Sequence, residues 1–320
     1  MIQNLALKVI SVIPVTKPEA IQIAEIQKSD LPDLFSSANR IREAFSGDMI
    51  GLCAILNAKS GSCPEDCSYC AQSSKSKADI IKYPLLKKET AIEKAREAKN
   101  GGVKRFSIVT SGRKVGKTEL REIAFMIEGI KNIGLIPCAS LGLLNKDELS
   151  FLKDRGLDRY HHNLETSERF FPHVCKTHTY KDKLKTLEAA QAIGLSVCSG
   201  GIFGMGETWE DRIDMAFSLK ELDVDSVPVN FLIPIKGTPL SDRELLEPFE
   251  ALKIISLFRF ILPHKAIRIC GGRVQVLGEF GSMIFMAGAD SLMTGNYLTT
   301  TGRTFEDDLR FIRQHGLRVA

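Results

Sequence analysis

Three cysteines stand close together in Gly61-Ser62-Cys63-Pro64-Glu65-Asp66-Cys67-Ser68-Tyr69-Cys70, at Cys-x3-Cys-x2-Cys spacing. One loop carrying three thiolates can wrap a single iron–sulfur cube and leave its fourth iron without a protein ligand. Such an open iron can chelate a small molecule and pass an electron to it. Structural zinc draws four closed ligands instead, usually from two Cys-x2-4-Cys pairs, and the chain has no second pair. Of the remaining cysteines, Cys53 reads as a small core residue. Cys175 and His178 have a ligand spacing, but no partner for them is evident along the chain.

From residue 50 onward, short β-prone runs alternate with longer helical patterns. Strands are expected at 50–57, 104–109, 135–140, 158–163, 195–199, 226–231, 266–270 and 290–293, and helices at 89–99, 118–132, 180–193, 209–221 and 243–262. Gly101, Gly134, Gly156 and Gly194 sit where helices should end. Eight strands, each tied to a helix, predict a (β/α)8 TIM barrel over 50–320. Residues 1–49 read as an N-terminal helical extension with one helix at 32–45, begun by Asp30 near the cap and Pro32 in the first turn. With no repeat, low-complexity tract or linker, the whole chain reads as a single domain.

A barrel of this kind places chemistry at the C-terminal ends of its strands and in the loops that follow. Cys63, Cys67 and Cys70 fall in the long loop after the first strand. Ser107 lies in the second strand, Cys138 in the third, and Asn163 ends the fourth. Cys198 is in the fifth, Asn230 in the sixth, and Arg268 and Cys270 in the seventh.

Composition bounds the setting. The 320 residues are 44% hydrophobic and 26% charged, enough to bury a large core without disulfides. The 43 basic and 39 acidic residues are scattered, giving a net charge of +4; without a basic tract or acidic tail, neither nucleic acid nor a membrane surface is implied. The apolar stretch 5–15 lacks a basic region ahead of it, is interrupted by Lys8 and Pro14, and has no small-residue cleavage site after it. No apolar run reaches transmembrane length. The expectation is a cytoplasmic protein whose cysteines are thiols or metal ligands.

Cys-x3-Cys-x-aromatic-Cys, with Tyr69 as the aromatic, is identified as the signature of the radical S-adenosylmethionine superfamily. Within it the chain resembles the biotin synthases from about residue 30 to its end. The resemblance is carried by the run 62–73, by His162-Asn163-Leu164-Glu165-Thr166-Ser167 and by the run 198–208, which opens Cys198-Ser199-Gly200-Gly201. It continues through Val227-Pro228-Val229-Asn230, Lys236-Gly237-Thr238-Pro239-Leu240 and Phe285-Met286-Ala287-Gly288-Ala289.

The resemblance implies conversion of dethiobiotin to biotin. A [4Fe-4S] cluster on Cys63, Cys67 and Cys70 would bind S-adenosyl-L-methionine and yield 5′-deoxyadenosyl radicals, which take hydrogens in turn from a methyl and a methylene carbon. Tyr69, Asn163 and Glu165 match cofactor-binding positions, Glu165 replacing the commoner Asp on a longer arm. Ile202 lies in the glycine-rich 200–207 stretch that matches the backbone against the adenine, and Asn230 matches a dethiobiotin contact. A homodimer and an electron donor such as flavodoxin or ferredoxin are also implied.

Biotin synthases resemble one another in a second, sulfur-donating cluster deep in the barrel, in its well-known form two irons held by three cysteines and an arginine. Cys138 and Cys198 match two of those cysteines and Arg268 the arginine, so Cys198 and Arg268 are expected to serve catalysis as well as metal binding. The third cysteine position falls on Ser107. A serine hydroxyl is a hard ligand, essentially un-ionised at neutral pH, and holds iron far less well than a thiolate. Cys270, two residues beyond Arg268, shares its face of the strand. Cys138, Cys198 and Cys270 could therefore converge, and three thiolates suit a four-iron auxiliary cluster with one open iron able to hold an extra sulfide. That form is favoured over the two-iron one, in which Cys270 would merely pack and Ser107 or solvent would complete the ligand set. Two rival functions are a maturase of the [FeFe]-hydrogenase cofactor and a non-catalytic iron–sulfur scaffold. Cys138, Cys198 and the Cys198-Ser199-Gly200-Gly201 run argue against the first; the second needs neither the glycine-rich loop nor the Asn163–Glu165 pair.

Overall fold

A computed structural model describes residues 1–320. Three helices come first, α1 (Ile2–Ile10), α2 (Lys17–Ala24) and α3 (Leu31–Ser46). Strands and helices then alternate: β1 (Met49–Lys59), α4 (Lys88–Asn100), β2 (Arg105–Thr110), α5 (Lys117–Asn132), β3 (Ile136–Ser140), α6 (Lys146–Asp154) and β4 (Arg159–His161). After α7 (Phe171–Val174) and α8 (Tyr180–Ala192) come β5 (Ser196–Cys198), β6 (Gly201–Phe203), α9 (Trp209–Glu221), β7 (Ser226–Phe231) and α10 (Pro248–Ile261). The chain ends with β8 (Ala266–Ile269), α11 (Arg273–Leu277), β9 (Ser291–Met293), α12 (Phe305–Gln314) and β10 (Arg318–Val319).

Helical crossovers carry the chain between successive barrel strands, so neighbouring strands pair in parallel. The sequence β1-β2-β3-β4-β5-β7-β8-β9 closes into an eight-stranded barrel where β9 pairs back onto β1. β6 is a short addition beside β7, and β10 a two-residue addition beside β1. No helix is long and apolar enough to cross a membrane.

The extension holds three helices rather than one. α1 and α2 are short and gain their order from tertiary packing: Leu5, Val9, Ala20 and Ile23 are buried, with α1 against α3 and α2 against α9 and α10. Three strands also stop earlier than their sequence suggests. β4 ends at His161, leaving Asn163 in the following loop, and β8 ends at Ile269, leaving Cys270 one residue beyond it. β5 ends at Cys198 because the chain there presses onto β7: a Cβ on Gly200 would lie 2.0 Å from the Pro228 carbonyl oxygen. The helix expected from 243 begins at Pro248, a residue suited to the first helical position.

Strand periodicity sorts the barrel side chains into two sets. Phe106, Ile108, Ala139, Tyr160, Val197 and Ile267 join the apolar layer between sheet and helices. Their neighbours Arg105, Ser107, Cys138, His161, Cys198 and Arg268 are thereby directed into the barrel. Such interiors are ordinarily filled with branched aliphatic side chains, and polar groups placed there are costly without partners. This interior is shaped for chemistry.

A buried ion pair braces the β8 end of the barrel. Arg259 on α10 is fully buried and donates to the carbonyls of Gly288 at 2.7 Å, Pro263 at 2.9 Å and Lys265 at 3.0 Å. Its Nη2 lies 2.9 Å from Asp290, an ion pair without hydrogen-bond alignment. Asp290 also accepts from the Ile267 N–H at 2.8 Å and from Ser46 Oγ at 2.7 Å. Removing one partner strands the other charge, so Arg259→Met should destabilise the fold by about 3–5 kcal/mol. A lower urea midpoint at unchanged slope would show it.

Candidate active site

The loop leaving β1 is fixed by its backbone. Gly61 and Ser62 take φ of +77° and +53°, and the turn lets the Cys63 N–H donate to the Gln72 carbonyl at 3.0 Å and the Ser74 N–H to the Cys63 carbonyl at 2.7 Å. The Cys70 N–H donates to the Cys67 carbonyl at 3.0 Å, and the Ser68 N–H to the Val174 carbonyl at 2.9 Å. Burial pushes the Cys63 and Cys70 thiols up, Cys70 to about 11. A bound metal reverses that preference, because ligation requires the thiolate.

The two acidic residues of the loop anchor it to the segment before α8. Asp66 accepts from the Lys176 N–H at 2.9 Å and the Thr177 N–H at 3.1 Å, and Glu65 pairs with His178 Nδ1. Cys175 Sγ stands 3.2 Å from both Asp66 Oδ1 and His178 Nδ1. The ligating atoms of Cys67, Cys175 and His178 lie within 4.8 Å of one another, so the neighbour of Cys175 and His178 that the sequence leaves unidentified is Cys67. The nearby Cys175 sulfur holds the Cys67 thiol up, and Cys67 in turn brings Cys175 down.

At the C-terminal end of the barrel lies a cavity of about 370 Å³ lined by Tyr69, Cys70, Asn163, Glu165, Ile202 and Asn230. Asn163 Oδ1 accepts from the Gly200 N–H at 3.2 Å, and its carbonyl from Lys183 Nζ at 3.0 Å. Glu165 takes φ of +73°; its N–H donates to the Gly200 carbonyl and its carbonyl accepts from the Ile202 N–H, each at 3.0 Å. A Cβ on Gly201 would meet the Glu165 carbonyl oxygen at 2.3 Å, so this approach requires glycine. Glu165 Oε2 is buried without a partner. The Asn230 amide donates to the Gly201 carbonyl and accepts from the Gly271 N–H, each at 3.0 Å, and so ties two rim loops together beside the cavity.

Ser107 and Cys270 also face the cavity, whereas Cys138, Cys198 and Arg268 are buried and lie outside its lining. Just past β8 the cavity-lining Cys270 stands two residues beyond Arg268, and on β3 Ser140 stands two beyond Cys138. The buried group is therefore the deeper one. Arg268 Nη1 is 3.6 Å from Cys198 Sγ, and Arg105 Nη1 is 3.9 Å from Cys138 Sγ. Cys270 Sγ is 3.6 Å from the Arg268 carbonyl oxygen. Ser107 Oγ and Arg268 Nε are buried without partners. Burial pushes Cys138 up to about 11 against the pull of Arg105 and Arg159. At Cys198 burial is outweighed by His161, Arg268 and Arg159, which bring it down to about 6.

Arg105 and Arg159 reach this deep group from their strands without having been singled out in the sequence, and His161, which reads there as a strand-end hydrogen-bonder, lines the cavity above it. Each is in step with a residue of the group: Arg105 stands two residues from Ser107, Arg159 pairs with Cys138, and His161 pairs with Cys198. Cys53, which reads as core, is buried inside the barrel beside Arg268 and Cys198.

A closed parallel barrel with three cysteines on the loop after its first strand defines a class. Residues 59–219 match the Radical SAM superfamily model, and residues 228–318 match the Biotin and Thiamin Synthesis associated domain. Methylornithine synthase (PylB) shares the fold with a TM-score of 0.86 at 22% identity, over 99% of this chain and 97% of that one. HydG, a maturase of the [FeFe]-hydrogenase, does so at 0.83 and 17% identity, over 99% and 76%. Biotin synthase of Thermodesulfovibrio yellowstonii is 59% identical over 297 residues, 93% of this chain and 94% of that protein. Biotin synthase of Pelotomaculum thermopropionicum is 44% identical over the full length of both. The chain belongs to the biotin synthase family.

Proposed function

We propose that the enzyme converts dethiobiotin to biotin by radical sulfur insertion, with Cys63, Cys67 and Cys70 holding a four-iron cluster at the barrel mouth. The observation that carries this reading is the stacking along the barrel of a three-thiol loop, a cavity, and a floor of thiols with an arginine. When bound, the cluster supplies the electron that splits S-adenosylmethionine to give a hydrogen-abstracting 5′-deoxyadenosyl radical. The chain's own residues bind and orient. The buried, unpartnered Glu165 Oε2 needs a donor, since an unsatisfied buried acceptor is costly, and a cofactor amino or hydroxyl group meets that need. Tyr69 and Asn163 flank it, and the backbone at Ile202, held against Glu165, offers a flat edge to adenine. Asn230 contacts dethiobiotin from the opposite rim.

The floor holds the sulfur-donating auxiliary cluster through Cys138, Cys198 and Cys270, with Arg268 beside it. Support comes from the orphaned Arg268 Nε and Ser107 Oγ, both able to donate to a sulfide, and from the cationic surroundings that favour thiolate at Cys198. The four-iron form is favoured, because Ser107 is a poor iron ligand. The reading extends to a cytoplasmic homodimer reduced by a flavodoxin or ferredoxin, with residues 1–49 as a helical extension of one barrel domain at 50–320.

Anaerobic incubation with dethiobiotin, S-adenosylmethionine and reductant should yield biotin and 5′-deoxyadenosine. A protein that never cleaves S-adenosylmethionine would be a scaffold, and cleavage without consumption of dethiobiotin would point to another radical chemistry. Cys198→Ala should stop biotin formation yet leave some uncoupled 5′-deoxyadenosine release, measured by chromatography. An unchanged biotin yield from the folded variant would contradict the role given to the floor.

A further inference from the structure

The strand registers fix which inward side chains share a level in the barrel. In an eight-stranded barrel of shear eight, a layer takes four side chains from alternate strands. The stagger raises the level partner two strands away by two residues from the hydrogen-bonded one. Pairing leads from Cys53 through Arg105 to Ile136, so the level partner on β3 is Cys138. From Cys138 it leads through Arg159 to Ser196, and hence to Cys198. From Cys198 it leads through Ser226 to Ala266, and hence to Arg268. From Arg268 it leads through Ser291 to Gly51, and hence back to Cys53. The ring closes on itself, so Cys53, Cys138, Cys198 and Arg268 form one layer.

The same step groups Ser107 with His161, Pro228 and Met293 in the next layer, and Cys270 with Ile55, Ser140 and Gly200 in the one above. The cavity confirms the order, for it is lined by residues of the two upper layers and by none of the deep four. Arg268 accordingly lies 3.6 Å from the Cys198 sulfur and feels the charge of Cys53, Cys138 and Cys270 as well. A cysteine that only packed would have aliphatic level neighbours; those of Cys53 are two thiols and a guanidinium.

We propose that Cys53 is a ligand of the auxiliary cluster, supplying from β1 the thiolate that Ser107 does not supply from β2. The proposal rests on the reading of Cys138 and Cys198 as ligands of that cluster. Three thiolates in one layer, with Cys270 nearer the cavity, would give each of the four irons of a cube its own thiolate, including the iron left open when Cys138, Cys198 and Cys270 alone are counted. Each thiol exchanges its proton for iron on binding, and Arg268 in the same layer offsets the accumulated negative charge.

Iron counting and Mössbauer spectroscopy on the anaerobically reconstituted full-length protein test it. Cys53→Ala strips the cube of one of its four thiolates, so the auxiliary signal should be depleted and altered, and iron per chain should fall toward the content of one cube. The signal of the other cluster, and its change on adding S-adenosylmethionine, should persist and report an intact fold. The nearly isosteric Cys53→Ser should show the same loss even where the alanine variant fails to fold. In the double variant Cys53→Ser/Ser107→Cys, a thiolate returns on the neighbouring strand and part of the lost iron should come back. Full auxiliary iron in the folded Cys53→Ala and Cys53→Ser proteins, with Cys198→Ala depleted, overturns the proposal and leaves the Cys138–Cys198 reading standing. Full auxiliary iron in the Cys53 and Cys198 variants alike overturns that reading as well.

Discussion

Replacing Cys63, Cys67 or Cys70 by alanine should reduce 5′-deoxyadenosine formation to the level of a control without enzyme. The expectation follows from ligand arithmetic. Three thiolates on one loop already leave one iron of a cube without a protein ligand, so losing another leaves two irons exposed and the cluster underligated. The loop offers no substitute, because Ser62, Ser68 and Ser73 carry hydroxyls that bind iron poorly at neutral pH. The backbone bonds that gather the loop do not use the sulfurs, and its acidic anchors act through Glu65 and Asp66. The variants should therefore stay folded while losing iron. Substantial cleavage of S-adenosylmethionine by any of the three under strong reductant would contradict the assignment of the loop.

Cys270→Ala should lose the four-iron auxiliary signal, while Ser107→Ala should keep it nearly intact. Both side chains face the cavity above the deep thiols, in successive layers, and it is ligand chemistry that separates them. Thiolate is soft and is stabilised by iron, whereas the serine hydroxyl stays protonated and is suited to donate a hydrogen bond to a cluster sulfide. Ser107→Cys should be tolerated, since it places another thiolate beside Cys138, its partner across the β2–β3 pair. Mössbauer spectra of the two alanine variants decide the matter. An auxiliary signal surviving in Cys270→Ala and gone in Ser107→Ala would mean a two-iron cluster completed by Ser107.

The barrel was legible because its signal is repeated: eight β-prone runs with helical stretches between them survive errors at individual ends. The cysteine loop could be singled out because its thiols are contiguous, and Asn163, Glu165 and Ile202 because they sit in short motifs; the structure brings Cys70 and those three to one cavity. What the sequence concealed depends on tertiary structure. Cys53 lies between Leu52 and Ala54 in an apolar run, where cysteine is at home in any core, and only barrel closure shows its level neighbours. Cys67 is far along the chain from Cys175 and His178, and their meeting depends on how the loop folds back toward α8. α1 and α2 carry little helical order of their own and take it from the barrel's outer helices. Arg105, Arg159 and His161 belong to none of the motifs, and only the inward parity of their strands brings them to the site.

The central claim is that the sulfur of biotin comes from a cluster held on the barrel floor by this chain. It is tested most directly by reconstituting the protein with isotopically heavy sulfide, removing free sulfide, and running a single turnover anaerobically with dethiobiotin, S-adenosylmethionine and reductant. The account predicts biotin carrying heavy sulfur by mass spectrometry, formed as the auxiliary Mössbauer signal disappears and the signal from the Cys63–Cys67–Cys70 cluster persists. Biotin carrying only light sulfur, or heavy biotin formed with the auxiliary signal undiminished, would contradict it.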